Sequence, residues 1–155
     1  MISVIIPIYN EEKILSDNPV YFKCLAKQAD VIFVDGGSSD RSARIAGEYG
    51  LVISGKKGRA SQINYGAKFS RNDTLLFLHA DARINIDTLI SIEKKIREGA
   101  VSAGCLTQRI DKEGITYRLI EIFGNLRAKV TKVFYGDQGI FVRKDLFIKL
   151  NGFPE

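Results

Sequence analysis

The chain has 155 residues, enough for one domain with a real core, and 45% apolar and 26% charged residues are the proportions of an ordinary globular protein. Its formal net charge of +5 is spread along the sequence. That distribution suits a small anionic substrate or a membrane surface and argues against a dedicated nucleic-acid groove. Cys24 and Cys105 are far apart, form no CxxC pair and read as buried free thiols of a reducing compartment. The start Met1-Ile2-Ser3-Val4 lacks the basic flank of a signal peptide, and no apolar run approaches the roughly 20 residues of a membrane span. A cytoplasmic location is the expectation.

Residues 2–8 are β-branched and apolar and predict a buried first strand, closed by Pro7. Tyr9-Asn10-Glu11-Glu12 predicts a turn opening a helix, with Asn10 as its N-cap; the helix would run to about Lys27 and is in doubt at Pro19. Val31–Val34 predicts a second strand that delivers Asp35. Gly36-Gly37-Ser38-Ser39-Asp40 then turns into a helix over 41–49, with Asp40 as its cap. A strand over 51–54, a glycine- and lysine-bearing loop and a helix over 59–69 follow. Leu75-Leu76-Phe77-Leu78 reads as a strand buried on both faces, as in a parallel sheet. Further helices are predicted over 87–98, ended by Gly99, and over 116–134, with strands over 101–110 and 139–142. Strands alternating with helices imply an α/β fold with a mostly parallel central sheet.

In such a sheet ligands bind at the carboxyl ends of the strands. Three of these ends carry chemistry: Pro7 and Tyr9, Asp35, and His79-Ala80-Asp81. Asp81 reads either as a cap for the helix starting near Asn85 or as a ligand group, since a carboxylate at a buried strand end is costly unless paired or metal-bound. Asp35 reads either as a turn-former beside Gly36-Gly37 or as an acceptor for a base N–H or ribose hydroxyl. Neither GxxxxGK[ST] nor a GxGxxG after the first strand is present. A crevice of carboxylates without a phosphate loop would need a divalent cation to hold a diphosphate; Mg²⁺ or Mn²⁺ suits, with Asp81 as its ligand. Arg59 could reach a phosphate or the base.

Five stretches together resemble the successive motifs of family 2 glycosyltransferases: Val4–Glu12, Val34–Asp40, Gly58–Ala67, Phe77–Asp81, and Gly136-Asp137-Gln138-Gly139 with Asn151-Gly152-Phe153-Pro154-Glu155, the last set being similar to one bacterial branch. The resemblance covers essentially the whole chain. It implies the GT-A fold, a Rossmann-like three-layer sandwich, as a single nucleotide-diphospho-sugar-binding domain over residues 1–155. It also implies an inverting, metal-dependent transfer from a nucleotide-diphospho-sugar, typically a UDP-sugar. By that resemblance Pro7, Tyr9 and Glu11 contact the nucleoside, Asp35 hydrogen-bonds the base and Arg59 lies near the base and phosphates. Asp81 is the last aspartate of the DxD metal motif, which binds Mn²⁺ or Mg²⁺, and Ala80 is its middle position.

Two departures stand out. His79 occupies the place of the first DxD aspartate; a histidine can ligate a metal or hydrogen-bond a phosphate. The family's acidic pair with the catalytic base has no match before Glu155, which implies a chain truncated at its C-terminus and leaves Asp137 as the weak remaining candidate. The rival readings are a nucleotide-sugar-binding domain without turnover, and a Mg²⁺-dependent nucleotidyl- or phosphotransferase. Residues 116–134 place Leu119, Ile122, Phe123, Leu126, Val130 and Val133 at helical spacing among basic residues. That helix would either pack on the sheet or lie on a membrane and present a lipid-linked acceptor.

Overall fold

The computed structural model describes residues 1–107, 114, 118 and 139–154. Its elements, in chain order, are β1 (Ile2–Ile8), α1 (Glu12–Asp17), α2 (Pro19–Gln28), β2 (Asp30–Asp35), α3 (Ser42–Ala46), β3 (Leu51–Ser54), α4 (Arg59–Phe69), β4 (Thr74–Phe77), α5 (Ile86–Arg97), β5 (Ala103–Cys105), β6 (Ile140–Arg143) and α6 (Lys144–Lys149). The six strands form one sheet in the order β3-β2-β1-β4-β6-β5. β3, β2, β1 and β4 are mutually parallel, while β6 runs antiparallel to both β4 and β5.

Strand periodicity divides the core into two layers. Ile2, Val4, Ile6 and Ile8 of β1 join Val31 and Phe33 of β2 and Leu76 of β4 on one face. That face is covered by Leu15 of α1, Phe22 and Leu25 of α2, Ile45 of α3 and Leu89, Ile92 and Ile96 of α5. Ile5, Ile32, Val34, Leu75 and Phe77 point the other way and meet Ile63 and Ala67 of α4 and Phe147 of α6. The result is the three-layer α/β arrangement expected from the sequence.

The helices switch faces because the sheet grows in two directions. The chain lays down β1, β2 and β3 outward on one side. It then crosses back through α4 to place β4 on the other flank of β1. A right-handed crossover in the reverse direction must use the opposite face, where α4 lies. The approach is close: a Cβ on Gly66 of α4 would stand 2.6 Å from Ile5 Cγ2 and 2.8 Å from Val34 Cγ2. Only glycine lets the helix sit there.

Several local expectations are corrected. The first helix is two helices, with Pro19 at the start of the second, where its missing N–H is harmless. Asn10 does not cap α1; the residue at the cap position is Glu11, without a side-chain cap bond. Asp40 does bond the start of α3, its Oδ1 accepting from the Ser42 N–H at 2.9 Å, although Arg41 holds the boundary position and the helix is shorter than expected. Neither cysteine forms a disulfide, and Cys24 is exposed rather than buried. It falls on the outer side of α2, between the inward-facing Phe22 and Leu25. α5 spans 86–97, and Gly99 follows it with φ +71°. The strand expected over 101–110 is described only as Ala103–Cys105. The expected helix over 116–134 lies outside the described residues apart from Arg118, and Asp137, Gln138 and Glu155 also lie outside them.

Candidate donor-binding crevice

The neighbours of β1 set the position of the site. β2 follows β1 on one side and β4 stands on the other, so the strand order reverses between β1 and β4. Open α/β sheets bind ligands at this kind of switch point, outside the strands' carboxyl ends. The turns leaving β1, β2 and β4 there carry Tyr9–Glu11, Asp35–Asp40 and His79–Asp81.

The first two turns are locked together by side chains. Asn10, with φ +56°, donates from its backbone N–H to Ser38 Oγ (2.9 Å) and accepts from the Ser39 N–H through Oδ1 (2.9 Å). The Glu11 N–H donates to Ser42 Oγ at 2.7 Å, and the Glu12 N–H to Asp40 Oδ2 at 3.2 Å. Glu12 in turn accepts from the Arg41 backbone at 2.9 Å and from its guanidinium Nε at 2.8 Å. Asn10 therefore clamps one turn to the other instead of capping its own helix, while Asp40 does both: its Oδ1 accepts from the Ser42 N–H at the start of α3 at 2.9 Å.

Asp35 ends β2 and is only 6% exposed. Its carboxylate accepts from the N–H groups of Gly37 and Ser38 at 3.2 Å and from Ser38 Oγ at 2.5 Å. The turn-forming role is thus present in the geometry. Pro7 lies within β1, opposite Val34. Tyr9 is 40% exposed, and the Lys57 ammonium sits 3.7 Å above its ring centre. Ala80 is buried, with its methyl in the core, while His79 is half-buried and Asp81 exposed.

Asp81 does not cap the following helix. Asn85 does, accepting from the Asp87 N–H at 3.1 Å. Among the described residues the Asp81 carboxylate makes no hydrogen bond or ion pair, and its influence is felt instead at Glu11. Burial, then the Asp81 charge, pushes the Glu11 carboxyl above its ordinary value; Arg59 opposes this, and Asp40 adds to it. Glu11, Asp81 and Arg59, from three separate turns, therefore share one electrostatic neighbourhood. Two carboxylates that feel each other's charge, with a guanidinium close enough to act on them, suit a divalent cation. Among the described residues no group of three or more His, Cys, Asp or Glu could hold a metal by itself. This donor set fits a cation that takes few protein oxygens and completes its shell from phosphates and water.

Sequence reasoning missed Gln62. It is 3% exposed, and its Nε2 donates to the carbonyls of Ile8 (3.0 Å) and Val34 (2.7 Å), while its Oε1 accepts from the Gly58 N–H at 3.3 Å. One amide thus ties the ends of β1 and β2 to the loop that presents Arg59. Its position four residues after Gly58 was the available signal. Two cavities lie apart from this constellation. One of about 460 Å³ adjoins the end of β3 and is lined by Gly55, Lys56, Asn64, Tyr65 and Lys68. The other, of about 550 Å³, is at the opposite end of the sheet among Arg71, Asp73, Glu93, Arg97 and Arg143. Neither is lined by Glu11 or Asp81.

In an open α/β sheet, acidic groups at the switch point stand where ligands of many kinds bind. The sequence matches glycosyl transferase family 2 over residues 3–150, and the chain belongs to that family. It is 25% identical over 155 residues to the undecaprenyl-phosphate 4-deoxy-4-formamido-L-arabinose transferase of Shewanella sediminis, covering 92% of this chain and 47% of that one. The chain spans about half the length of the curated relatives it matches. Its fold superposes on a Pyrobaculum calidifontis mannosyltransferase in complex with GDP-Man and Mn²⁺ with a TM-score of 0.75, at 21% identity, over 99% of this chain and 47% of that one. The glucosyl-3-phosphoglycerate synthase of Mycobacterium tuberculosis, in complex with Mn²⁺, UDP and glucosyl-3-phosphoglycerate, gives a TM-score of 0.68 at 16% identity, over 95% and 58%. The fold is that of the GT-A glycosyltransferases.

Proposed function

We propose that this chain binds a nucleotide-diphospho-sugar, UDP-linked, together with Mn²⁺ or Mg²⁺, and transfers the sugar with inversion to a lipid-linked phosphate. What supports this reading is the placement of Glu11, Asp35 and Asp81 on the turns leaving β1, β2 and β4 at the switch point, where Glu11 feels the charges of Asp81 and Arg59. Asp81 would hold the cation, which when bound would offset the charge building on the diphosphate leaving group. Arg59 supplies a fixed positive charge toward the phosphates. Asp35, anchored through Gly37 and Ser38, has lone pairs left for a base N–H or a ribose hydroxyl. Tyr9 offers an exposed ring beside it. His79, half-buried beside Asp81, would face the phosphates or the metal.

The acceptor class rests on the curated relatives, whose names place the sugar on undecaprenyl phosphate. Such an acceptor also changes what the site must supply. A phosphate monoester loses its second proton at about pH 6, so its attacking oxygen is already ionised near neutrality. No carboxylate base would then be required of the kind a hydroxyl acceptor needs. Among the described residues no helix is long and apolar enough to cross a membrane. Contact with the lipid would therefore be peripheral for that part of the chain.

The test is transfer of labelled sugar from UDP-sugars to undecaprenyl phosphate in detergent micelles with Mn²⁺. GDP- and dTDP-sugars serve as comparison, because one structural neighbour holds GDP-Man. Sugar appearing on the lipid supports the reading. Donor binding without transfer to the lipid phosphate or to alcohol acceptors would support a binding domain without turnover.

A further inference from the structure

Arg83 stands two residues beyond Asp81, yet it forms no ion pair with that carboxylate. Its Nη1 instead donates to the carbonyls of Ala80 at 3.0 Å and Ala82 at 2.9 Å, the two residues that bracket Asp81. The guanidinium carbon lies 4.5 Å from the ring centre of Tyr21 and 5.6 Å from that of Phe22, both on α2. A second link reinforces the first: the Ile84 N–H donates to the Tyr21 hydroxyl at 3.2 Å. Burial raises the titration of that hydroxyl above its ordinary range, so it remains a neutral acceptor. Phe22 is 1% exposed and stacks on Tyr49, which makes α2 a firm support.

We infer that Arg83, seated on Tyr21 and Phe22, is a positioning residue that holds the Asp81 turn in the shape required for metal-dependent nucleotide binding. This deepens the proposed function and rests on it. A guanidinium suits the role because one terminal nitrogen offers its two hydrogens to two carbonyls while the planar face lies on the rings. By satisfying backbone rather than side-chain oxygens, it fixes the turn without neutralising Asp81. A lysine would keep the charge but lose the planar group that lies on the rings, and Tyr21→Phe would remove the second link.

Two readouts on the full chain test this. Backbone amide exchange at Ala82, Arg83 and Ile84 reports the turn directly, whatever the ligand. Titration of UDP in Mn²⁺ and in chelator reports the affinity gained from the metal. Arg83→Met and Arg83→Lys should both speed exchange at these three amides while leaving β1 and β2 protected. Both should cut the metal-dependent gain about tenfold or more, the size of effect usual for residues that orient a metal ligand, with UDP affinity in chelator unchanged. Tyr21→Phe should move both readouts in the same direction, by less.

Unchanged exchange at the three amides in Arg83→Met overturns the positioning role, as does full restoration of the gain by Arg83→Lys. A wild-type chain that binds UDP equally in Mn²⁺ and chelator overturns the metal reading and the inference's link to it. Faster exchange in the variants would in that case support only Arg83's hold on the turn.

Discussion

Asn64 and Phe153 pair in both directions: the Asn64 Nδ2 donates to the Phe153 carbonyl and its Oδ1 accepts from the Phe153 N–H, each at 2.8 Å. One side chain in α4 thus captures the backbone of a segment 89 residues further on. It draws the Phe153 ring to within 5.3 Å of Phe77 and 5.5 Å of Phe147. Gly152 belongs to the same device. Its φ is +74°, and a Cβ there would stand 2.4 Å from Asn64 Oδ1.

Asn64→Ala should therefore destabilise the chain by about 1–3 kcal/mol, the cost of leaving partly buried backbone groups unpaired. Gly152→Ala should cost a similar amount through the clash and the strained φ. Urea unfolding at fixed pH measures both. Because the two changes break one contact, the double variant should lose less than the sum of the singles.

Gln62 ties the ends of β1 and β2 to the Gly58 loop. Gln62→Leu matches its size roughly but deprives the Val34 carbonyl and the Gly58 N–H of this partner. The expected loss is about 1–3 kcal/mol of stability. Since Arg59 follows that loop, UDP affinity should fall as well, in Mn²⁺ and in chelator alike. Gln62→Glu should be worse, because its carboxylate would face two carbonyl oxygens. Unfolding and calorimetry on the same preparations separate the two effects.

Acid should loosen the clamp between the first two turns. Hydrogen bonds from the Arg41 side chain, then from its backbone, hold the Glu12 carboxyl below its ordinary value of 4.5. At Asp40 burial works upward, but hydrogen bonds from Ser42 and Glu12 outweigh it, so that carboxyl is also held low. In each case the unfolded chain takes up a proton at a pH where the folded chain still refuses it. The contribution to stability is complete above the unfolded value and is lost as pH falls through the folded one. Urea midpoints between about pH 3 and 7 should fall toward acid, and Glu12→Gln should make that fall shallower. An identical acid limb in the variant would show that the Arg41 contact contributes nothing.

Much of this arrangement is legible in the sequence where a residue's role is local. Runs such as Val31–Val34 and Leu75–Phe77 are buried on both faces, and their β-branched and aliphatic character marks them as parallel strands. Pro19 marks the break between α1 and α2 for a local steric reason. Roles set by distant partners are not legible in this way. Asn10 looks like a helix cap because its neighbours do, but its side chain is taken by Ser39, 29 residues away. Asp35 satisfies two readings at once, as a turn-former and as an acceptor with lone pairs to spare. Gln62 sits in a helix of small and polar residues, and its spacing from Gly58 does not reveal that its amide reaches the Ile8 and Val34 carbonyls. The antiparallel direction of β6 depends on a connection that periodicity does not encode.

Asp35→Ala should weaken UDP binding roughly tenfold, and by the same factor in Mn²⁺ and in chelator, because its proposed contact is with the nucleoside rather than the metal. Uridine should lose the same factor. Asp35→Asn, which can still accept from Gly37 and Ser38, should keep the fold's stability and isolate the effect of the charge. A metal-dependent difference between Asp35→Ala and wild type would move Asp35 into the phosphate region.

The most direct test of the account is titration calorimetry of UDP into the wild-type chain and Asp81→Ala, each in Mn²⁺ and then in chelator. The prediction is that Mn²⁺ tightens binding to the wild type by roughly tenfold or more. Asp81→Ala should show one affinity in both conditions, equal to that of the wild type in chelator. Equal UDP affinities for wild type and Asp81→Ala in Mn²⁺ would contradict the assignment of Asp81 as the group that holds the metal.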